Sequence, residues 1–434
     1  MSAAAEREAL GRELVGLVRE LYPLCRSITG DGVRDTLRLV ARKLPLELHE
    51  VPSGTPVLDW TVPDEWNARD AWIKTLAGER VVDFRRHNLH LVSYSEPVPP
   101  RRISRAELLE HLHSLPAHPD WIPYRTSYYK RSWGFCVSHK QLESLVDPEY
   151  EVCVDTRLEP GHLSYGEYFL PGEREDEILF SAHVCHPSLC DDNLSGIAVA
   201  SAVARALAAR ARRRFSYRFL FIPGTIGSLT WLARNRQRAP HIRGGMTLVC
   251  LGDERGFTYK RSFAGDSPVD RAAQLVLAHA PQPAETIGFF PYGYDERQFN
   301  SPGFRIPIGS LMRGRHGRFD EYHTSADSPE FVHARQLTGA CEAVGAIVDV
   351  LEGDGRFESL SPYGEPQLGR RGIYRALGGE SDPEALQLAM LWVLSLADGE
   401  HSLVDAAERS GLPFATLRAA ATLLERHELV RALP

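Results

Sequence analysis

The sequence predicts an α/β protein built on a mostly parallel sheet flanked by helices. Between about Ser104 and Leu360, strand-like apolar runs such as EILFSAHV alternate with helical runs such as LSGIAVASAVARALAAR. This alternation is typical of a parallel sheet covered on both faces. Such sheets bind ligands beyond the carboxyl ends of their strands. The polar residues that follow each strand are therefore the first candidates for a functional site.

Three further stretches surround this α/β part. An amphipathic helix is predicted from the N-terminus to about Leu44, and short β runs such as PVLDWTV predict a β-rich insertion. Three helices with tight Gly and Pro turns near the C-terminus predict a winged helix-turn-helix. The predicted domains are an α/β domain of residues 1–49 and 104–365, a β-rich insertion of residues 50–103, and a winged-helix domain of residues 376–434.

Composition and cysteine usage favour a cytoplasmic protein. No apolar run reaches the roughly 18 to 20 residues that cross a bilayer. The N-terminus lacks the pattern of a signal peptide, and the seven cysteines are scattered without a CxxC motif, which favours reduced thiols. The net charge of −7 gives no reason to expect a membrane surface or nucleic acid as partner.

The predicted winged helix is acidic. Residues Ala376 to Pro434 contain nine Asp and Glu residues, four Arg and no Lys, a formal charge of −5. DNA binding requires clustered cations that displace counterions. This charge therefore favours packing or homo-oligomer formation through the winged helix over DNA recognition.

The densest polar cluster is SAHVCHPSLCDDNLSG, between a buried strand and a helix. It contains His183, His186, Asp191, Asp192 and Asn193. Imidazole nitrogens and carboxylate oxygens together suit zinc. The alternative is that one of these residues only caps the helix while the histidines lie in a loop. Two histidines and two aspartates within ten residues favour the metal site.

Three more strand ends carry polar side chains. Asp253 follows a buried strand, and Asp295 and Glu296 lie in a loop after the strand-like run ETIGFF. A loop before the last long helix is rich in ionisable residues. The ionisable residues of that loop are Asp320, Glu321, His323 and Asp327. Asp327 or Ser328 is expected to cap the following helix. We expect the other side chains to gather at the same edge of the sheet.

An aromatic and basic patch opens the α/β part. It consists of Tyr124, Arg125, Tyr128, Tyr129 and Trp133. Arg125 and Tyr129 are candidates for substrate binding, with the guanidinium of Arg125 holding a carboxylate. Alternatively, these aromatic side chains seal the seam between two domains.

Several motifs resemble those of a known enzyme group. DDNLSGIA, and YHTSADSPEFV about 130 residues later, are similar to two signatures of co-catalytic zinc aminopeptidases, which include aminopeptidase S, glutamate carboxypeptidase II and glutaminyl cyclase. With GYDERQFNSPG and HVCHPSLCDDNLSG, the chain more closely resembles bacterial aminopeptidase-like domain proteins with a C-terminal winged helix. The resemblance covers nearly the whole chain and implies a zinc aminopeptidase-like fold.

The resemblance also implies roles for individual residues. His183 matches the histidine that binds one zinc, and Asp192 matches the carboxylate that bridges two zincs. Asp253 matches an aspartate ligand, and His323 matches the histidine of the second zinc. Asp295 matches a polar loop position near the metal and is assigned to substrate binding.

The chain departs from the aminopeptidase pattern at one position. A Glu-Glu pair supplies the general base and a zinc ligand in that group, whereas Gly224 and Thr225 occupy the place here. One bound zinc is therefore expected rather than two. His186, Glu296 and Glu321 are the candidates for a substitute ligand, and Glu296 and Glu321 are also the candidates for the catalytic base.

The sequence therefore predicts a zinc-dependent, aminopeptidase-like hydrolase. Its substrate would be a small peptide or related amide, cleaved at the N-terminal bond. One alternative is an acyl-transfer or cyclisation enzyme on the same zinc scaffold. The other is a catalytically silent binding or regulatory protein, because the Glu-Glu pair is absent.

Overall fold

The computed structural model describes residues 2–371, 373 and 383–433. Residues 376–382 and 434 of the predicted winged-helix domain lie outside this part. The chain divides into two compact units. The first unit comprises Met1–Gly265 and Ile287–Cys341, and the second comprises Asp266–Thr286 and Glu342–Pro434.

Helices and strands alternate along most of the described chain. The helices are α1 (Ala3–Leu21), α2 (Asp31–Ala41), α3 (Arg105–Glu110), α4 (His139–Ser144), α5 (Gly196–Ala208), α6 (Ile226–Arg234), α7 (Pro268–Ala278), α8 (Glu296–Phe299), α9 (Ala334–Gly353), α10 (Pro383–Leu396), α11 (Leu403–Ser410) and α12 (Phe414–Arg426). The strands are β1 (Glu47–Pro52), β2 (Pro56–Val57), β3 (Trp60–Thr61), β4 (Glu65–Lys74), β5 (Arg80–Asp83), β6 (Val98–Ser104), β7 (Leu112–His113), β8 (Phe135–Cys136), β9 (Glu149–Glu159), β10 (His162–Leu170), β11 (Glu177–His183), β12 (Ser216–Ile222), β13 (Ile242–Leu248), β14 (Phe257–Lys260), β15 (Ala284–Ile287), β16 (Ile308–Met312), β17 (Arg356–Ser359), β18 (Asp398–Ser402) and β19 (Val430–Ala432).

A large sheet forms the centre of the first unit and confirms the predicted α/β class. Its strands in this unit follow the order β1-β10-β12-β11-β13-β16-β14. The central strands β12, β11, β13 and β16 run parallel, whereas β1, β10 and β14 pair antiparallel at the flanks. Every residue of β11, β12 and β16 is buried, as expected for strands covered on both faces.

The parallel strands bring distant loops to one edge of the sheet. Strands β11, β12, β13 and β16 end at His183, Ile222, Leu248 and Met312 respectively. Because parallel strands share a direction, their carboxyl ends lie side by side. The polar loops that follow these strands therefore meet at this edge.

The N-terminal stretch is two helices, so the prediction of one amphipathic helix up to about Leu44 was wrong. The first helix ends at Leu21 and Pro23 follows, while the second helix begins after Gly30. Gly30 has a φ of +99°, and a Cβ there would lie 2.1 Å from the carbonyl oxygen of Trp66. Only glycine fits this turn.

The predicted β-rich insertion of residues 50–103 has different limits in the structure. Its antiparallel sheet has the order β5-β4-β9-β6, so the central strand β9 comes from residues 149–159. Strand β1, at residues 47–52, belongs to the large sheet instead. The prediction failed because β9 pairs with strands more than 40 residues before it, which local patterns do not reveal.

The second unit contains the winged helix. Its sheet has the order β18-β17-β19 and accompanies helices α10, α11 and α12. Strand β17 begins at Arg356, so this module starts before the predicted boundary at residue 376. Arg271 of α7 pairs with Asp405 at 2.7 Å and Glu408 at 2.6 Å. In the part of the chain that the structure describes, no helix has the length and apolar character of a membrane span.

Candidate metal centre

The carboxylate of Asp192 lies between histidines at the edge of the sheet. Its Oδ1 is 2.7 Å from Nε2 of His183, and its Oδ2 is 2.9 Å from Nε2 of His323. Nδ1 of His186 is 3.6 Å from Oδ1 of the same carboxylate. The ligand atoms of His183, His186 and Asp192 all lie within 4.8 Å of one another, which is compact enough to surround one metal ion.

One buried atom of this cluster has no hydrogen-bond partner. Nδ1 of His186 is buried and unpaired among the described residues. Such an orphaned polar atom costs about 1–3 kcal/mol, and a metal ion would provide its partner. The residues present therefore fit a zinc ion, because nitrogen and carboxylate donors at these positions are its preferred ligands.

The protonation states of the cluster also suit a metal. Burial lowers the pKa of His186 well below its usual value, although Asp192 opposes the shift. Burial by itself would raise the pKa of Asp192, but His186, His183 and His323 together hold that pKa well below its usual range. A neutral imidazole and an ionised carboxylate are the forms that bind metal ions.

Asp327 holds the backbone of the ligand turn. Its carboxylate accepts hydrogen bonds from the N–H groups of Cys190, Asp191 and Asp192 at 3.1, 2.6 and 3.0 Å. The expectation that Asp327 caps the next helix was wrong, because α9 begins at Ala334. Burial raises the pKa of Asp327 to about 7 against the effect of these hydrogen bonds.

The neighbours of Asp192 fasten the turn to the end of β13. Asn193 donates to the carbonyl oxygen of Leu248 at 3.0 Å, and Asp191 accepts from the N–H of Gly252 at 2.6 Å. Arg26, which is 1% exposed, donates to the carbonyl oxygen of His186 at 2.8 Å. The ligand turn is thus held from several sides.

The structure does not place Asp253 in the group of ligand atoms around Asp192. Asp253 is fully buried and accepts hydrogen bonds from the N–H groups of Arg255 at 2.6 Å and Gly314 at 3.0 Å. Each of its carboxylate oxygens accepts one backbone hydrogen bond, and Asp253 is not in the group of His183, His186 and Asp192 whose ligand atoms lie within 4.8 Å of one another.

Of the aromatic patch, Tyr124 reaches the metal centre. Its ring lies edge-on to His186 and His323 at centroid distances of 5.3 and 5.1 Å. Its N–H donates to the carbonyl oxygen of His323 at 2.8 Å. Arg125 is exposed, and Tyr129 is half exposed with its ring against Trp60. The described contacts connect neither Arg125 nor Tyr129 to the ligand histidines.

Tyr294 fills the space above Gly224, where the aminopeptidase pattern has its Glu-Glu pair. A Cβ at position 224 would lie 2.0 Å from Cε1 of Tyr294. The Tyr294 ring also lies edge-on to His183 at 4.7 Å, and its hydroxyl is 3.2 Å from Sγ of Cys185. The sequence analysis missed Tyr294. The one available signal was the glycine itself, since it leaves room for a large neighbour.

We expect Gly224→Ala to destabilise the protein by about 1–3 kcal/mol, because the added methyl group overpacks the Tyr294 ring. Urea unfolding measures the change in the free energy of unfolding. Gly303→Ala is the control, since nothing lies within 4 Å of a Cβ there, and it should change stability by less than about 0.5 kcal/mol. Tyr294→Leu should remove most of the penalty at position 224. Equal effects of the two alanine variants would contradict this packing.

Glu296 and Glu321, the two predicted candidates for the catalytic base, each pair with a cation. Glu296 forms a buried ion pair with Lys260 at 2.8 Å and accepts from the N–H of Tyr294 at 3.0 Å. Glu321 is partly exposed and pairs with Arg255 at 3.3 Å. Both predicted base candidates are therefore paired with cations and lie outside the group of ligand atoms.

Asp295 makes no ion pair among the described contacts, although the charge of Arg297 lowers its pKa. It is buried, and its Oδ1 accepts a hydrogen bond from the hydroxyl of Ser228 at 2.9 Å. Burial raises the pKa of Asp295 to about 6, although His183 and Ser228 lower it. Ser228 lies in α6, which begins directly after Gly224 and Thr225. Asp295 thus reaches the segment that lacks the Glu-Glu pair.

Comparison with protein families gives two matches along the chain. Residues 15–354 match a family described as a domain of unknown function (DUF4910), and residues 356–432 match a winged helix-turn-helix family. A Clostridium acetobutylicum protein is 46% identical over 421 residues, which cover 97% of this chain and 96% of that protein. It carries the provisional name of a polysaccharide biosynthesis protein with an aminopeptidase-like domain.

Two solved structures illustrate the fold. The crystal structure of a provisionally named peptidase from Clostridium acetobutylicum has a TM-score of 0.93 at 44% identity, covering 99% of this chain and 98% of that one. A zinc aminopeptidase from Bacillus subtilis has a TM-score of 0.56 at 14% identity, covering 78% of this chain and 94% of that one. The second similarity shows the aminopeptidase-like fold alone.

Proposed function

The chain belongs to the family described as a domain of unknown function (DUF4910), here with an aminopeptidase-like fold and a C-terminal winged helix, and from this we propose that it is a zinc-dependent hydrolase of amide bonds. Its substrate would be a small peptide or a related amide, cleaved at the N-terminal bond. The main observation that supports this proposal is the position of the Asp192 carboxylate between His183 and His323. Nδ1 of His186, which has no partner among the described residues, lies 3.6 Å from the same carboxylate.

His183, His186 and Asp192 would hold the zinc ion, and Asp192 would also bind His323 through its second oxygen. When bound, zinc supplies a Lewis acid and lowers the pKa of its water. The chain's own contribution is a rigid and largely buried set of ligands, since Asp327 and Arg26 fix the turn that carries them. Such outer contacts orient ligands and support metal affinity.

We further propose that Asp295 accepts the proton that the absent glutamate would take. Three observations support this assignment. Asp295 reaches α6 beside Gly224 through Ser228, it is buried, and its charge interacts with His183. Glu296 and Glu321 are less suited, because each pairs with a cation. The role of Asp295 would then be proton transfer and not substrate binding.

The remaining proposals concern location and assembly. The seven cysteines all carry free thiols, which supports a cytoplasmic location. The acidic residues Asp405 and Glu408 of α11 pair with Arg271 of the same chain, which supports a packing role for the C-terminal module over nucleic-acid binding. Oligomer formation through this module stays a prediction.

Metal analysis combined with a substrate panel tests the proposed function. We expect about one zinc per chain after purification without chelators. We also expect release of an amine from some member of a panel of aminoacyl amides and short peptides, and loss of this release after chelation. A chain that fails to retain zinc at saturating concentrations would refute the proposal.

A silent binding protein is the second candidate, and one observation favours it. The Tyr294 ring occupies the space that a side chain at position 224 would need. Bound zinc without turnover on any amide of the panel would favour this candidate. Chelator-sensitive turnover would exclude it.

A further inference from the structure

A cavity lies in the first unit, close to the metal centre. Its volume is about 350 Å³, and its lining includes Lys260, Arg315, His316 and Arg318 together with Phe290 and Tyr292. No acidic side chain is among the described residues that line it. Lys260 is paired with the buried carboxylate of Glu296 at 2.8 Å, so the net positive charge of this lining comes from Arg315 and Arg318 and attracts negative charge.

One polar atom in the lining has no partner. Nε2 of His316 is buried and makes no hydrogen bond with any described residue. A bound oxyanion would accept a hydrogen bond from this nitrogen and satisfy it. Arginine presents a planar fork of N–H groups that matches the geometry of phosphate and carboxylate.

Aromatic side chains border the same cavity. Phe290 and Tyr292 are 44% and 67% exposed and are therefore accessible to a ligand. Lys260 Nζ lies 4.4 Å from the centroid of the Phe290 ring and donates to the carbonyl oxygen of Tyr292 at 2.8 Å. The cavity therefore combines cations with apolar surfaces on which a ring of the ligand can pack.

A chain of contacts connects the cavity to the metal centre. The ring of His316 lies 6.2 Å from the ring of Tyr322, which stacks on His323 at 3.9 Å. Burial lowers the pKa of His316, and the charges of Glu296 and Asp192 oppose this shift. Two ring contacts through Tyr322 therefore separate the cavity lining from His323.

We propose that this cavity binds an anionic group, phosphate or carboxylate, of the substrate whose amide bond lies at the metal centre. The inference rests on the proposed hydrolase function and adds the class of substrate, an amide that also carries an oxyanion. Arg318 and His316 would hold the oxyanion, while Phe290 and Tyr292 would pack against the body of the molecule.

Isothermal titration calorimetry with inorganic phosphate, and separately with acetate, tests this cavity at constant ionic strength. We expect saturable binding of at least one of the two anions to the full-length protein, and the stronger one identifies the group. Arg318→Ala and His316→Leu should each weaken binding by about 10- to 100-fold, the usual range for a hydrogen bond to a charged group. Arg236→Ala, in a separate cavity of about 620 Å³, should leave binding unchanged.

Zinc itself can attract phosphate, so the Asp192→Asn variant is titrated in parallel. Binding that persists in this variant supports the cavity, whereas binding that disappears with the metal overturns it. Absence of binding for both anions, or equal binding by wild type and both cavity variants, also overturns it. Thermal melting shows whether each variant is folded. Phosphate binding without any amide turnover would refute the hydrolase and retain the anion site, so the two proposals fail separately.

Discussion

Alanine at His183, His186 or Asp192 should release most of the zinc that the wild-type protein binds. Each change removes one of three protein ligands and leaves the other two buried around a cation with too few partners. Loss of a single outer contact to a ligand already costs about 10- to 100-fold in metal affinity, so loss of a ligand should cost more. Zinc content per folded chain, measured by elemental analysis after dialysis, checks this expectation.

His90→Ala is the matched control for these variants. His90 is also a buried histidine, but its Nδ1 lies 2.8 Å from the carbonyl oxygen of Cys136, away from the ligand group. The His90→Ala substitution should lower the stability of the protein and leave its zinc content unchanged. Full zinc occupancy in the Asp192→Ala protein would show that the ligand assignment is wrong.

Asp295→Asn should reduce turnover by about 10²–10⁴-fold, because asparagine keeps the shape of the side chain and loses its basicity. Zinc content should stay constant, since Asp295 is not among the ligand atoms. Comparison of kcat between wild type and variant, on whichever amide the panel identifies, measures the effect. An equal zinc content excludes an indirect loss of the metal.

Two other carboxylates serve as comparisons for Asp295. Glu296→Gln leaves Lys260 without its buried partner and should cost about 3–5 kcal/mol of stability. Glu321→Gln breaks a partly exposed pair with Arg255 and should cost at most about 1 kcal/mol. A rate loss of 10²-fold or more in the Glu321 variant, with Asp295→Asn unaffected, would assign the proton transfer to Glu321 instead.

The sequence predicted the central sheet well because its signals are local. Each buried strand contains a short apolar run, and the polar residues at and after the end of β11 identified His183, His186 and Asp192 as a cluster. The same logic located the loop of His323, which the fold then brings to the other oxygen of Asp192. Short-range patterns were sufficient for these features.

Other features depend on contacts between distant parts of the chain. Asp327 was expected to serve its own helix, whereas it binds a turn that lies more than 130 residues earlier. Strand β9 pairs with both β4 and β6, and neither partner is apparent from its own sequence. The ion pair of Glu296 with Lys260 joins α8 to β14, whose proximity only the fold determines. The sequence predicted the secondary structure better than it predicted which distant side chains contact each other.

The packing of Tyr294 on Gly224 also restricts how this protein can evolve. A glutamate at position 224 requires the space that the tyrosine ring fills, so this substitution alone is blocked by a steric clash. Tyr294 must first change to a smaller residue, which by itself leaves a cavity beside His183. The two substitutions are therefore epistatic, and each is harmful without the other. A lineage with this pair of residues cannot regain the glutamate in one step, and its chemistry is expected to diverge from that of the zinc aminopeptidases.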